Sequence, residues 1–257
     1  MSTFQALVRF EADDGQTYFA DIEPSNAGSL CPGHQLEGFS SFAAFTAKRG
    51  GRSVRLAKAK IPQHPPLWTK PAAALANPGE DIHIDKFCTT SYPDYEGEYV
   101  FVTSRKCKNV TPEEAEDCIL GYATANELSC RLFQDPDQMG GQYFFAKAFD
   151  KFAPIGPVLV SPEIFANGGQ GRKLTTKLNG KVMQEASIDE DQIFSPAQVL
   201  SWMSQATTIP AGTAVMTGTP AGVGYFHEPK RLLRDGDVVE IELEGLPALQ
   251  NKIVFEA

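Results

Sequence analysis

Apolar and polar residues alternate in short runs along much of this chain, a period-two pattern that predicts strands in preference to helices. Residues 4–10 partly alternate, Asp13-Asp14-Gly15 reads as a turn, and residues 17–22 are the expected partner strand of a hairpin. Residues 24–41 are rich in Gly, Pro and Ser and read as loop. Pro62, Pro65 and Pro66 make a stiff extended connector. The expected organisation is a small β-rich region over residues 1–62 and a larger domain over residues 63–257.

Within the larger domain, residues 95–102 and 238–243 are strand candidates, the latter after the turn Asp235-Gly236-Asp237. Residues 252–255 supply a closing strand. Helix signals are few. Thr111-Pro112-Glu113-Glu114 combines an N-cap, a proline at the first helical position and the glutamate of a capping box. That helix should end near Gly121. Ser195-Pro196 opens a second helix, expected to run to Ala206. The predicted class is α+β and β-dominated.

Hydrophobic residues make up 42% of the 257 positions, enough for a sizeable core. The formal net charge of −9 repels phosphate backbones, so nucleic acid is not an expected partner. Cys31, Cys88, Cys107, Cys118 and Cys130 are odd in number and scattered, which reads as free thiols in a reducing compartment. Residues 1–10 hold no apolar leader, and no apolar stretch approaches the ~20 residues that span a bilayer. A soluble cytoplasmic protein, away from membranes, is expected.

The candidate chemistry begins with Glu96 and Glu98. On a strand both point the same way, with Val100 and Val102 following, while Tyr95, Tyr99 and Phe101 take the other face. A strand apolar on both faces is usually buried, and two buried carboxylates are costly unless a cation neutralises them. Oxygen-only ligation favours Mg²⁺, then Mn²⁺ or Ca²⁺. The same pattern also fits a strand end in solvent with two ordinary surface glutamates. Glu127 is the candidate third ligand. If Asn126 caps a helix, Glu127, Arg131 and Gln134 share one face, placing a carboxylate, a guanidinium and an amide together. An exposed Glu–Arg pair is the bland alternative.

These runs, taken in order, resemble the fumarylacetoacetate hydrolase family. Its E-x-E strand matches Glu96 and Glu98, and its N-D-x-S-x-R-x-x-Q run matches Asn126 to Gln134. Its G-K-x-x-D run matches Lys147 and Asp150, and its F-A-P-x-G-P run matches Phe152 to Pro157. Asn179-Gly180 with Gln184 resembles its N-G-x-x-x-Q turn, and Thr217 to Gly224 its T-G-T-P-x-G-V-G loop. The resemblance implies a β-rich mixed sandwich roll with few helices, the site lying between sheets, and a homodimer. It further implies Glu96, Glu98 and Glu127 as metal ligands, and Lys147 with Glu127 as catalytic groups. Arg131, Gln134, Gly218 and Thr219 would contact a small anionic oxo-acid or dicarbonyl substrate.

Two departures bear on the reaction. Glu127 stands where the family usually has aspartate. The family's G-x-N-Y-x-x-H-x-x-E segment, whose histidine and glutamate form a base dyad, has no counterpart before Trp68-Thr69-Lys70-Pro71. His64 is the only histidine near that position; His34, His83 and His227 read as surface loop residues. The first expectation is a metal-dependent hydrolase cleaving a C–C bond in a 2-oxo or 1,3-dicarbonyl acid. A decarboxylase, tautomerase or cyclase using the same centre without the dyad is the alternative, and a silent binding or dimer partner the third.

Overall fold

A computed structural model describes residues 6–12, 14, 16–22, 35–40, 51–58, 63–139, 142–167 and 172–256. The chain divides into two compact units, Met1–Gln63 and His64–Ala257. In the first, β1 (Ala6–Ala12) and β2 (Thr17–Ile22) form the predicted antiparallel hairpin, with Leu7 opposite Asp21. β3 (Gln35–Gly38) and β4 (Arg52–Lys58) complete a sheet of order β2-β1-β4-β3. β3 lies inside the stretch expected to be loop. Its pairing with β4, distant in sequence, overrides the local turn chemistry.

The second unit runs through β5 (Leu75–Ala76), β6 (Ile82–Ile84), β7 (Pro93–Asp94), β8 (Gly97–Thr103), β9 (Ile119–Asn126) and β10 (Ser129–Cys130). It continues with β11 (Ala153–Val160), β12 (Lys173–Leu178), β13 (Lys181–Ser187), β14 (Ala214–Met216), β15 (Val238–Leu243) and β16 (Leu249–Phe255). Two five-stranded sheets result, of order β14-β8-β9-β11-β5 and β13-β12-β15-β16-β6; β7 and β10 pair separately. The described α-helices are α1 (Lys86–Thr89), α2 (Pro112–Glu116), α3 (Pro136–Met139), α4 (Phe144–Lys147), α5 (Pro162–Asn167) and α6 (Pro196–Met203). The fold is α+β and strand-dominated.

The predicted Thr111 capping box forms, and Ser195, expected to open the second helix, closes a capping box with Gln198. Thr111 Oγ1 accepts from Glu114 N–H, and Ser195 Oγ from Gln198 N–H. The helices are shorter than expected. α2 stops at Glu116 because Ile119 already pairs with Thr103 in the β8–β9 ladder. α6 ends at Met203, and Ser204 closes it by donating to Leu200 and Trp202 carbonyls.

Apolar residues of the two sheets meet in one core that includes Tyr95, Tyr99, Leu128, Leu174, Val239, Ile241 and Ile253. Gly97 sits at the crossing. A Cβ there would stand 1.9 Å from Thr176 Oγ1 and 3.0 Å from Ile241 Cδ1, so only glycine lets β8 approach the second sheet this closely. Since Gly97 faces the second sheet, Glu96 and Glu98 project from the opposite face. The site therefore does not lie between the two sheets as the resemblance implied. Strand parity puts it on the far side of the first.

Candidate metal centre

Strand register brings the three carboxylates together. Gly97 pairs with Asn126 and Glu98 with Ala125, so continuing the antiparallel ladder sets Glu127 opposite Glu96 on the same face. Glu127 N–H donates to Glu96 O over 2.8 Å, extending the ladder by one bond. Glu96, Glu98 and Glu127 are 6%, 1% and 4% exposed. One carboxylate oxygen from each lies within 4.8 Å of the others.

The helix that Asn126 would have capped does not form. Asn126 ends β9, Ser129 and Cys130 pair with Asp94 and Pro93, and only Arg131–Gln134 coil, as one 3₁₀ turn. The reason lies in Asn126, whose Oδ1 accepts from Glu96 N–H at 3.0 Å and is unavailable as a helix cap. Arg131 and Gln134 still arrive at the centre. Arg131 donates from Nε to Asp94 Oδ2 (2.8 Å) and from Nη1 to Glu96 Oε1 and to Gln134 Oε1, the last at 3.0 Å. Arg131 Nη2 is buried without a partner.

Lys147, at the end of α4 and 2% exposed, donates to Glu96 Oε2 (2.7 Å), Glu127 Oε2 (2.6 Å) and Ser129 Oγ (3.0 Å). Burial opposes its charge, but Glu96 and Glu127 outweigh burial and hold its pKa above the usual lysine value. Glu96 is also buried, yet Lys147 and Arg131 keep its carboxyl below the ordinary range. Glu98 differs. Burial first, then the charges of Glu127 and Glu96, push it well above that range. Its Oε2 accepts from Gly218 N–H at 2.6 Å, whereas Oε1 is buried with no partner. The φ of +99° at Gly218 lies in the left-handed region that favours glycine.

Asp94, Glu96, Glu98 and Glu127 thus gather around Arg131, Lys147 and the more distant Lys70, leaving carboxyl groups in excess over cations in a buried space. An orphaned carboxylate oxygen within an all-oxygen cluster fits a hard divalent cation.

Sequence reasoning passed over several groups here. Trp68 Nε1–H donates to Glu127 Oε1 at 3.1 Å, and Lys147 Nζ lies 5.2 Å from the Trp68 ring centroid. Lys70 Nζ lies 3.5 Å from Leu128 O, and burial pushes its pKa down to about 8 despite the attraction of Glu127. Asp94 Oδ1 accepts from Tyr95 and Gly224 N–H, and its Oδ2 from Tyr225 N–H as well as Arg131. The run Trp68-Thr69-Lys70-Pro71 was the available signal for the first two. Asp94 was visible only as the start of the acidic run.

Thr219 is turned into the protein. Its hydroxyl donates to Gly97 O (2.9 Å) and accepts from Gln184 Nε2 (2.8 Å), pinning the loop to β8. His64 stacks on Trp202 with ring centroids 3.7 Å apart. His83 Nδ1 lies 3.9 Å from Glu256 on the surface, and His227 Nε2 lies 3.0 Å from Gly222 O. His34 and Cys31 lie outside the described residues; the other four cysteines are buried free thiols. Among the described residues no helix is long and apolar enough to cross a membrane.

The family described as fumarylacetoacetate (FAA) hydrolase C-terminal matches residues 40–254. This chain belongs to the fumarylacetoacetate hydrolase family. The Xenopus laevis protein named oxaloacetate tautomerase fahd2, mitochondrial, is 32% identical over 194 residues, which is 76% of this chain and 59% of that protein. The chain thus spans about three fifths of the length of such tautomerase relatives. Among solved structures, a 2-hydroxyhepta-2,4-diene-1,7-dioate isomerase from Mycobacterium marinum superposes with a TM-score of 0.66 at 30% identity, covering 98% of each chain. A fumarylpyruvate hydrolase from Pseudomonas aeruginosa, in complex with Mn²⁺ and pyruvate, gives 0.64 at 28% identity, covering 76% of this chain and 81% of that one. The family therefore includes tautomerases, isomerases and hydrolases among its named members.

Proposed function

We propose that this chain is a divalent-metal-dependent enzyme interconverting the keto and enol forms of a small 2-oxo acid, with oxaloacetate the first substrate to test. The observation that carries the reading is Lys70. A lysine poised at about 8 stands beside a carboxylate centre, and the sequence has no lid segment carrying the family's histidine base. Keto–enol exchange takes one proton from carbon and places one on oxygen, with no water consumed. A lysine near neutrality can give and take that proton.

Glu96, Glu98 and Glu127 would hold the cation, Mg²⁺ first and Mn²⁺ or Ca²⁺ as alternatives; when bound it supplies Lewis-acid stabilisation of enolate charge. Arg131 Nη2 is the donor left free for a substrate carboxylate. Lys147 stays an ammonium that orients Glu96 and Glu127, and its positive charge favours developing oxyanion character nearby. Gln134, occupied through its carbonyl by Arg131, has its amide nitrogen to offer a substrate oxygen. Gly218 would fix Glu98 through its N–H, and Thr219 ties that loop to β8.

Hydrolysis of an acylpyruvate is the second reading, favoured by the likeness to the fumarylpyruvate hydrolase. The deciding experiment follows enol-oxaloacetate decay by its ultraviolet absorbance with Mg²⁺, with Mn²⁺ and with chelator, alongside acylpyruvate cleavage. Metal-dependent ketonisation that is lost in Lys70→Met supports the tautomerase. Acylpyruvate cleavage without accelerated ketonisation overturns it in favour of the hydrolase.

A further inference from the structure

A second constellation lies on the face of β8 opposite Glu98. Tyr99, Tyr122, Phe165, Ile188, Gln192 and Ile193 line much of a cavity of about 320 Å³. That is the lower end of the ~300–1,000 Å³ typical of small-molecule sites, enough for a single-ring compound. One wall is aromatic: Tyr122 and Phe165 stack with centroids 4.1 Å apart and planes 25° apart, and Tyr99 lies within 15° of parallel to Phe165. A flat ligand is what such a wall accommodates.

The polar groups around it are incompletely satisfied, and all the missing partners are acceptors. Gln192 Oε1 accepts from Tyr99 O–H, while its Nε2, also buried, has no partner. Arg172 is 4% exposed and forms no ion pair with any carboxylate among the described residues; its Nε has no acceptor. Its guanidinium lies over Phe165, 4.2 Å from the ring centroid, and its carbonyl accepts from Ile188 N–H at 3.0 Å, so both its neighbours belong to the cavity wall. Buried arginines are ordinarily paired, and buried amides ordinarily bonded. Ser195 and Pro196, at the positive end of α6, also face the cavity. Asp189 is the one acid in the lining; it is exposed and already engaged. Orphaned donors, a buried cation and a helix N-terminus all favour an acceptor-rich anion.

We propose that this cavity is a second ligand site, separate from the carboxylate centre, for a flat, ring-sized carboxylate. Its ring would lie against Tyr122 and Phe165, and the Gln192 amide would turn its unpartnered Nε2 towards the carboxylate, in the field of Arg172.

The test titrates the full chain with 4-fluorobenzoate by ¹⁹F NMR, in chelator so that no cation can recruit the carboxylate elsewhere. Saturable binding is expected, with 4-fluorobenzyl alcohol at least ~tenfold weaker, since a hydrogen bond to a charged group is worth about that or more. Arg172→Gln and Gln192→Leu should each weaken 4-fluorobenzoate about tenfold, while Glu98→Gln should leave it unchanged. Should Arg172→Gln fail to fold, Gln192→Leu, at a half-buried position, decides. Absence of saturable binding, unaltered affinity in the folded variants, or displacement of the probe by oxalate together with sensitivity to Glu98→Gln would overturn the proposal.

Discussion

Replacing Lys147 by methionine keeps most of the side-chain volume and removes one charge from the carboxylate centre. Lys147 is 2% exposed and is held by Glu96 at 2.7 Å, Glu127 at 2.6 Å and Ser129 at 3.0 Å. Without it, Glu127 keeps only Trp68 Nε1–H and Glu96 only Arg131, which Asp94 already shares. Removing one member of a buried ion pair costs about 3–5 kcal/mol because the other charge remains buried and uncompensated. For a unit of this size each kcal/mol is worth roughly 2–4 °C, so metal-free Tm should fall by about 6–20 °C. A divalent cation neutralises the same carboxylates, and the loss of a nearby positive charge strengthens its binding. The gap between wild type and variant should therefore narrow as Mn²⁺ is titrated in, following the linkage of ligand binding to stability. The assay is thermal or urea denaturation of both proteins in chelator and across a Mn²⁺ series. A gap below ~1 kcal/mol in chelator, or one that Mn²⁺ leaves unchanged, would refute the electrostatic account of the centre.

Lys70→Met should lower kcat for ketonisation by about 10²–10⁴-fold with a smaller change in KM, as loss of a general acid–base does; steady-state kinetics at saturating metal check this. Glu98 carries a folded-state pKa raised above its unfolded value, so its contribution is complete below the unfolded pKa and is lost as pH rises through the folded one. In chelator, stability should decline with pH over that window and Glu98→Gln should flatten the decline, as denaturant titrations at several pH values would show. Gly97→Ala drives a methyl into Thr176 and should destabilise by about 1–3 kcal/mol, with partial recovery on adding Thr176→Ala; urea midpoints measure both. Phe87, Tyr143, Phe144 and Phe145 are exposed, and a homodimer that covers such aromatic surface is expected by sedimentation; a monomer across the micromolar range would remove that expectation.

Local chemistry was legible wherever neighbouring residues decide the outcome. The Thr111–Glu114 capping box and the helix start at Ser195-Pro196 were readable because each involves residues at most three apart and needs no distant partner. The alternation of residues 238–243 became β15, with Val239, Ile241 and Leu243 buried. Glu96 and Glu98 were legible as a same-face pair because strand parity is local. Glu127 was legible as a ligand candidate by motif, but the conditional helix from Asn126 does not form. Its position depends on Asn126 meeting Gly97 across the ladder, a contact that no window along one strand contains.

The sequence by itself therefore determined the β-dominated class, the family, two of the helix starts and the acidic groups from which a cation site would be built. Tertiary structure alone decided where those groups meet. The close approach of Gly97 to Thr176 put the carboxylates on the outer face of their sheet. Burial then lowered the pKa of Lys70 and raised that of Glu98, and left Glu98 Oε1 and Arg131 Nη2 without partners. Desolvation and pairing depend on everything packed around a group, and the packing partners of this centre come from segments tens of residues apart.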